Sequence, residues 1–401
     1  MPSTAMSNAM TFIPVPVSLS ELAAQRLKRT REWLARSNAD VLIVSAPENV
    51  LYVSGYESMP AMLSRSHPFA VILTADRLML VAPSADFAPA IDSGLSPDDV
   101  VPFGRFFFSG QTRSSTLDVT HAGFDAALKD ALGRLRGTKA LVDWHAISDK
   151  ARAVVEAWSA GVEDAGQWML DLRAEKLPIE HTLLKHVANM TERALDAGIA
   201  AAAVGVTDKE VSNVVAAAMS AAGGYPRNVT VAGGSASALA DVLSAERPLQ
   251  KGDLLRFDIG CSYYGYKSDI ARTAVMGEPT GLQQSRYDAL LAGLETAFEM
   301  ARTGAVARDV FDASVETVEK KGLSPYRRQH VGHAIGLSVY EWPVITPEST
   351  AVLRENATFC LETPYYEPGW GGMMVEDTGF ITREGFKSFT TLDRSLRVIG
   401  A

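Results

Sequence analysis

The chain has 401 residues, of which 47% are hydrophobic and 21% are charged, and its formal net charge is −9. This length exceeds that of an ordinary single domain, and the apolar content is enough for sizeable cores. The acidic balance argues against a nucleic-acid or anionic-membrane partner, because both need clustered Lys and Arg. The sequence has no apolar run long enough to predict a membrane-spanning helix.

Two local features bear on the compartment and on metal chemistry. The stretch 1–10 lacks the basic start and apolar core of a signal peptide, which predicts a cytoplasmic enzyme. Two cysteines, Cys261 and Cys360, are too few for a disulfide framework. Each lies near acidic residues in the sequence, so a thiolate ligand is one interpretation. A small buried apolar side chain is the commoner role, and we favour it.

The first part of the chain alternates short strands with helices. Ser18 and Glu21 form a capping-box pattern that opens a helix. Apolar runs then predict a strand at 41–45, another at 51–53 and a hairpin of 70–73 with 78–81. Further on, the patterns predict helices near 122–135 and 149–159, with a strand at 141–144 between them.

A domain boundary is predicted at the charged segment that ends in Pro178, since proline is favoured in a first helical turn. A long amphipathic helix follows, and Thr207 with Glu210 caps a second one. Two more helices are expected at about 283–303 and 306–321. The strands of this part come as hairpins, which indicates an α+β fold with an antiparallel sheet. We therefore divide the chain into domains 1–171 and 172–401.

The first hairpin carries two aspartates. Strands 254–260 and 267–275 are joined by a turn rich in Gly, Ser and Tyr. If Tyr263 and Tyr264 form the tip, Asp258 faces Asp269 directly across the ladder. Two carboxylates so close would repel unless a cation lies between them.

A second hairpin repeats the pattern with glutamates. Glu362 and Glu376 flank a turn-rich segment centred on Gly369. Between the two hairpins lies a glycine-punctuated segment with His330 and His333. Four carboxylates and one imidazole suit two divalent ions, whose combined charge would balance the four negative charges.

The order Asp, Asp, Gly-His-x-x-Gly, Glu and Glu-Asp resembles the pita-bread metalloenzymes, which include methionine aminopeptidase, aminopeptidase P, prolidase and creatinase. The segment 49–56 is similar to the N-terminal domain of the creatinase and prolidase branch. The resemblance implies a creatinase-like α/β domain followed by a pita-bread domain with a curved antiparallel sheet backed by helices. It also implies a homodimer, and the apolar segment 56–65 is where we expect a neighbouring subunit.

The resemblance also assigns roles to residues. It implies a binuclear site for Mn, Fe, Co or Zn, with His333 as the histidine ligand and Glu362 as the acid–base group. His330 is expected to face the substrate or to support a ligand, and a purely structural role is equally open. The implied ligands are Asp258, Asp269, His333, Glu362 and Glu376. Ions held in this way activate water for attack on a carbonyl group.

Three departures from the peptidase pattern concern the substrate. Asp241 stands in place of an auxiliary histidine, Tyr340 in place of a second one, and Met374 in place of an arginine. We therefore predict hydrolysis of a C–N amide-type bond in a small molecule in preference to an Xaa-Pro dipeptide. Xaa-Pro dipeptidase or aminopeptidase activity is the alternative. A lyase of the same fold and a catalytically silent binding module are further alternatives.

Overall fold

The computed structural model describes residues 11–64, 66–106, 120–137 and 139–400. The chain divides into two compact units, Val17–Arg173 and a second that joins Met1–Pro16 to Ala174–Ala401. Within the described ranges no helix has the length and apolar character needed to span a membrane.

The first unit is built on a mixed sheet of β1 to β6 in the order β4-β3-β2-β1-β5-β6. The predicted hairpin is confirmed as β2 paired with β3, and the side chain of Ser18 caps the first helix. A cluster of buried aliphatic side chains lies between the sheet and α5 and α6. The strands are β1 (Val41–Val44), β2 (Ala70–Leu73), β3 (Leu78–Pro83), β4 (Val100–Phe103), β5 (Lys139–Val142) and β6 (Gly161–Asp164). The helices are α1 (Leu19–Arg36), α2 (Pro47–Ser54), α3 (Met59–Leu63), α4 (Phe87–Asp92), α5 (Phe124–Gly133), α6 (Asp149–Trp158) and α7 (Gly166–Ala174).

The strand predicted at 51–53 is wrong, because these residues belong to helix α2. Pro47 occupies the first turn, where its missing N–H costs nothing, and Gly55 ends the helix with a φ of 77°. Residues 49–53 are all buried, so the segment has no polar face to reveal a helical period. A short apolar run of this kind cannot be assigned by periodicity.

The second unit has four long helices, α8 (Pro178–Ala201), α9 (Asp208–Ala221), α10 (Gly281–Met300) and α11 (Ala307–Lys320). Pro178 opens α8 as predicted, and the reciprocal hydrogen bonds of Thr207 and Glu210 cap α9. Helices α10 and α11 contribute to a large apolar cluster that includes Leu254 and Phe359 of the sheet. Burial of this apolar cluster stabilises the packing of α10 and α11 against the sheet.

The sheet of this unit has the strand order β12-β11-β13-β16-β10-β8-β7, with β9, β17 and β18 paired at its margins. Its pairings are antiparallel except for β18, which runs parallel to β10. The α+β class and the curled antiparallel sheet are therefore confirmed. The strands are β7 (Tyr225–Gly233), β8 (Leu254–Tyr263), β9 (Tyr266–Lys267), β10 (Ile270–Met276), β11 (Gly332–Ala334), β12 (Glu341–Val344), β13 (Thr358–Glu362), β16 (Glu376–Ile381), β17 (Phe386–Ser388) and β18 (Arg397–Ile399). A separate ladder joins β14 (Tyr365–Glu367) to β15 (Gly371–Met373).

The register of the first hairpin differs from the prediction. Asp258 pairs with Ala271, and Asp269 lies just before β10. The tip is Tyr264-Gly265, whose φ angles of 46° and 78° are those of a tight two-residue turn that favours Gly second. The shift amounts to two residues, so both aspartates stay on the same face of the sheet.

The predicted pairing of the second hairpin is confirmed. Glu362 of β13 lies directly opposite Glu376 of β16. The segment between them forms the small β14–β15 ladder, which extends the hairpin beyond the two glutamates.

Candidate metal centre and active site

Five acidic and histidine side chains converge on adjacent strands of the second sheet. His333 lies on β11, Glu362 ends β13, Glu376 begins β16, Asp269 precedes β10 and Asp258 lies on β8. Four of the five are buried, and Asp258 is partly exposed, with 14% of its side chain accessible. Strand order alone therefore gathers residues that are far apart in the sequence.

The donor set suits divalent ions. Carboxylate oxygens of Asp258, Asp269 and Glu376 lie within 4.8 Å of one another. Donor atoms of His333, Cys360 and Glu376 form a second group of the same size. Asp269 Oδ1 and Glu376 Oε2 are buried and have no hydrogen-bond partner among the described residues. Buried oxygens without a partner are costly, and a cation would satisfy them.

The electrostatics of three carboxyl groups point the same way. Burial raises the pKa of Asp258 to about 6, against the opposing effect of Arg256. Burial, together with neighbouring carboxylates, raises the pKa of Asp269 and of Glu376 well above the usual values. Without a cation these groups hold protons more tightly than free carboxyl groups do.

Glu362 behaves differently from the other three. Burial acts to raise its pKa, but the nearby His330, with the charges of Arg328 and His333, holds the pKa below its usual value. His330 Nδ1 lies 3.1 Å from Glu362 Oε1. Of the four carboxyl groups in the site, that of Glu362 therefore ionises at the lowest pH. A proton acceptor must be ionised, so Glu362 suits that role.

His333 is oriented by its own backbone and by a stacked ring. Its Nδ1 donates to the carbonyl of Ala334 at 3.2 Å, which leaves Nε2 available as a ligand. Burial lowers the pKa of His333, so the neutral imidazole that metals bind is favoured. The ring of Tyr340 stacks on this imidazole with a centroid distance of 3.9 Å. Tyr340 therefore contacts a candidate ligand, and it is itself largely exposed.

Two side chains that the sequence analysis missed hold Asp258. Asn228 Nδ2 donates to its Oδ1 at 2.9 Å, and Arg256 Nη1 donates to its Oδ2 at 3.1 Å. Arg256 is fully buried and also donates to the carbonyls of Ser237, Leu239 and Ala240. An arginine inside the apolar run of β8 is a signal for such a pair, because a buried charge needs partners.

The site opens into a cavity of about 230 Å³. All three positions that depart from the peptidase pattern lie along it, so the structure brings Asp241, Tyr340 and Met374 together around the carboxylates. The charge of Asp241 also contributes to the raised pKa of Asp258. Tyr366 of the glutamate hairpin also lines the cavity, and further lining residues that the sequence analysis did not single out are Asn228, Arg328, Gln329 and Val339.

Asp377 lies next to Glu376 but serves a different network. Its Oδ1 accepts from Arg272 Nη2 at 2.7 Å, and its Oδ2 accepts from Ser388 and Arg394. Arg272 is fully buried and also donates to the backbone carbonyl of Glu376 at 2.7 Å. Arg272 is therefore saturated and does not line the cavity, so it is not available to bind a substrate carboxylate.

The two cysteines occupy different environments. Cys360 Sγ belongs to the group with His333 and Glu376, and it also lies 3.3 Å from the hydroxyl of Thr378. Cys261 is buried and its Sγ lies 3.8 Å from the carbonyl of Ser262. Burial raises the pKa of both thiols. Of the two, Cys360 alone is placed where it could contact an ion.

Comparison with protein families fits this geometry. Residues 182–383 match the model of metallopeptidase family M24, and residues 26–174 match the creatinase/prolidase N-terminal domain. The chain belongs to metallopeptidase family M24. Membership of this family confirms the predicted resemblance and makes the protein a metal-dependent hydrolase of amide bonds. Divalent metal ions follow from the family as well.

Relatives and solved structures cover nearly the whole chain. Xaa-Pro dipeptidases of Pyrococcus horikoshii and Pyrococcus furiosus are 24% and 26% identical, over 94% and 93% of this chain and 99% of each relative. An X-Pro aminopeptidase structure from Thermotoga maritima aligns with a TM-score of 0.79 at 21% identity, covering 93% of this chain and 99% of that one. This likeness confirms the pita-bread fold.

Proposed function

We propose that Asp258, Asp269, His333, Glu362 and Glu376 hold two divalent ions and that the protein hydrolyses a C–N amide bond of a small substrate. The observation that carries the proposal is the convergence of these side chains, with two buried carboxylate oxygens that lack partners. When bound, the ions would supply an activated water molecule and polarise the carbonyl group. Mn, Fe, Co and Zn all suit a carboxylate-rich donor set.

The chain's own residues would handle the proton and the substrate. Glu362 would accept a proton at Oε1 or Oε2 and pass it to the leaving nitrogen, while the Nδ1 of His330, 3.1 Å away, would keep the carboxylate in place. Tyr340 and Asp241 would contact the substrate from the cavity wall. A cavity of about 230 Å³ favours a compact substrate.

Two substrate classes are candidates. The departures at Asp241, Tyr340 and Met374 favour a small non-peptide amide, since two imidazoles and a guanidinium are replaced where a peptide would be held. Each lost charged hydrogen-bond partner costs roughly 1.5–3 kcal/mol. The second candidate is an Xaa-Pro dipeptide, which is favoured by the names of the relatives and by the presence of Arg328 in the cavity.

Elemental analysis combined with a substrate panel tests the proposal. Protein prepared with Mn²⁺ or Zn²⁺ should contain two ions per chain, and Asp258→Ala should lose metal and activity. A content well below one ion in the wild type would contradict the metal site. A kcat/KM above about 10⁴ M⁻¹s⁻¹ for an Xaa-Pro dipeptide, the range of dedicated enzymes, would transfer the proposal to the second candidate.

We also infer a homodimer. Helix α3 leaves Met59 and Leu63 exposed, at 64% and 78%, on the segment 56–65 that the sequence analysis assigned to a subunit interface. Arg65 of that segment lies outside the described residues. Light scattering that shows a monomer at micromolar concentration would contradict the inference.

A further inference from the structure

Arg328 is a buried cation whose hydrogen-bonding capacity is largely unused. Only 8% of its side chain is exposed, and its Nε has no hydrogen-bond partner among the described residues. Its Nη2 lies 3.9 Å from Glu362 Oε2, beyond hydrogen-bond distance. Arg256 and Arg272, by contrast, are bound by several carbonyl and carboxylate oxygens each. A buried guanidinium left open in this way indicates that a ligand completes its contacts.

The position of Arg328 indicates which part of a substrate it would meet. Arg328 and Met374 both line the cavity, and both lie near Tyr366. The Arg328 Cζ lies 5.8 Å from the centre of the Tyr366 ring, whose hydroxyl contacts Met374 Sδ at 3.7 Å. The cavity therefore has no guanidinium at position 374 but has that of Arg328 beside the same tyrosine.

We propose that Arg328 binds a carboxylate group of the substrate, which limits the substrates to amides that carry a carboxylate close to the scissile bond. This inference rests on the proposed function and specifies its substrate class. N-acyl amino acids and dipeptides with a free C-terminus belong to that class. The guanidinium presents its N–H groups as a planar fork that matches a carboxylate, and the buried setting strengthens such charge-assisted bonds.

A purely electrostatic role is the competing explanation. Arg328 contributes to the low pKa of Glu362, so it could serve only to keep that carboxylate ionised. In that case its loss would weaken turnover of all amides to the same degree. A role in substrate binding would instead affect only molecules with a carboxylate.

Binding of a matched pair of probes separates the two roles without any turnover. 4-Oxopentanoate and 4-oxopentanamide are analogues of N-acetylglycine and N-acetylglycinamide in which a CH₂ group replaces the NH of the scissile bond, so that bond cannot be hydrolysed. The two probes differ only in the carboxylate, and their affinities for the metal-loaded full-length chain are measured by calorimetry. The wild type should prefer the acid by about 10- to 150-fold, the effect of one charged hydrogen-bonded contact. Arg328→Met should abolish that preference, and Arg328→Lys should keep part of it, since a lysine retains the charge but loses the fork.

The neighbouring arginine supplies the control. Arg327 is exposed and does not line the cavity, so Arg327→Met should leave the preference unchanged. If Arg328→Met still prefers the probe with the carboxylate, that group binds the metal ions and the inference is overturned. Equal affinities of the wild type for the two probes would also overturn it. Metal analysis of the same samples keeps the two proposals distinct. An ion-free wild type contradicts the proposed function, while equal affinities for the two probes in a metal-loaded wild type contradict the role of Arg328 alone.

Discussion

At the scale of single residues, Arg256 joins the metal centre to its surroundings. It donates to Asp258 and to three backbone carbonyls of the turn that precedes Asp241. Its replacement leaves the buried carbonyl of Ser237, two partly buried carbonyls and one carboxylate oxygen of Asp258 without that donor. Arg256→Met should therefore lower the free energy of unfolding of the metal-free protein by about 3–5 kcal/mol, as breaking a buried ion pair does.

Urea unfolding measures this loss, and Arg247→Met is the matched control. Arg247 pairs with Asp253 at 2.9 Å, but 30% of its side chain is exposed. Its loss should cost less than about 1 kcal/mol. Equal losses in the two variants would show that Arg256 is no more important than a surface ion pair.

The residue scale also shows what the sequence could and could not reveal. An arginine among the apolar residues of β8 is recognisable as a paired charge, although its partners are carbonyls of a distant turn. Arg328 gives no such signal, because it follows Arg327, which is exposed, and only the fold separates the two. The candidate ligands could be predicted because each lies in a recognisable motif. The residues that hydrogen-bond to Asp258 lie in no motif, so the sequence alone does not identify them.

At the scale of elements, β15 lies in close contact with the turn at Gly234–Ala238. A Cβ added to Gly372 would lie 2.1 Å from the carbonyl oxygen of Ser237, whose hydroxyl accepts a hydrogen bond from the Gly372 N–H at 2.7 Å. Gly372→Ala should destabilise the protein by roughly 1–3 kcal/mol, the usual cost of overpacking.

Gly281→Ala is the control for this prediction. Gly281 begins α10, and an added Cβ would meet nothing within 4 Å. Its effect should stay within about 0.5 kcal/mol in thermal or urea unfolding. If the two substitutions cost the same, the contact between Gly372 and Ser237 does not constrain the packing of β15.

Helices and strand pairings could be predicted where they depend on local sequence features, such as helical periodicity, capping residues and turn residues. The long helices have clear periods and caps, and the glutamate hairpin is symmetric about its turn. The aspartate hairpin was misregistered by two residues because two turn positions were possible, and Gly265 decides between them. Helix α2 was misassigned since its residues are buried all round, and burial of that kind is set by tertiary packing.

At the scale of the whole molecule, the carboxylate cluster makes the stability of the protein depend on pH and on metal. Without metal, burial raises the pKa of Asp258 to about 6 and those of Asp269 and Glu376 well above their usual values. The corresponding values in an unfolded chain are about 3.9 for Asp and 4.3 for Glu. Between the unfolded and folded values the folded chain binds more protons, so its free energy of unfolding falls as pH rises.

Metal should reverse this trend. A divalent ion binds the ionised carboxylates and competes with protons, so its stabilising effect grows with pH. The metal-free protein should therefore be more stable near pH 5 than near pH 7.5, and the metal-loaded protein should show the opposite order. Urea unfolding with a chelator and with saturating Mn²⁺ measures the stability of both forms.

Glu376→Gln removes one of the carboxyl groups whose pKa is raised. In this variant the free energy of unfolding of the metal-free protein should fall less steeply as pH rises. A metal-free wild type that gains stability from pH 5 to pH 7.5 would show that these buried carboxylates do not dominate its pH dependence.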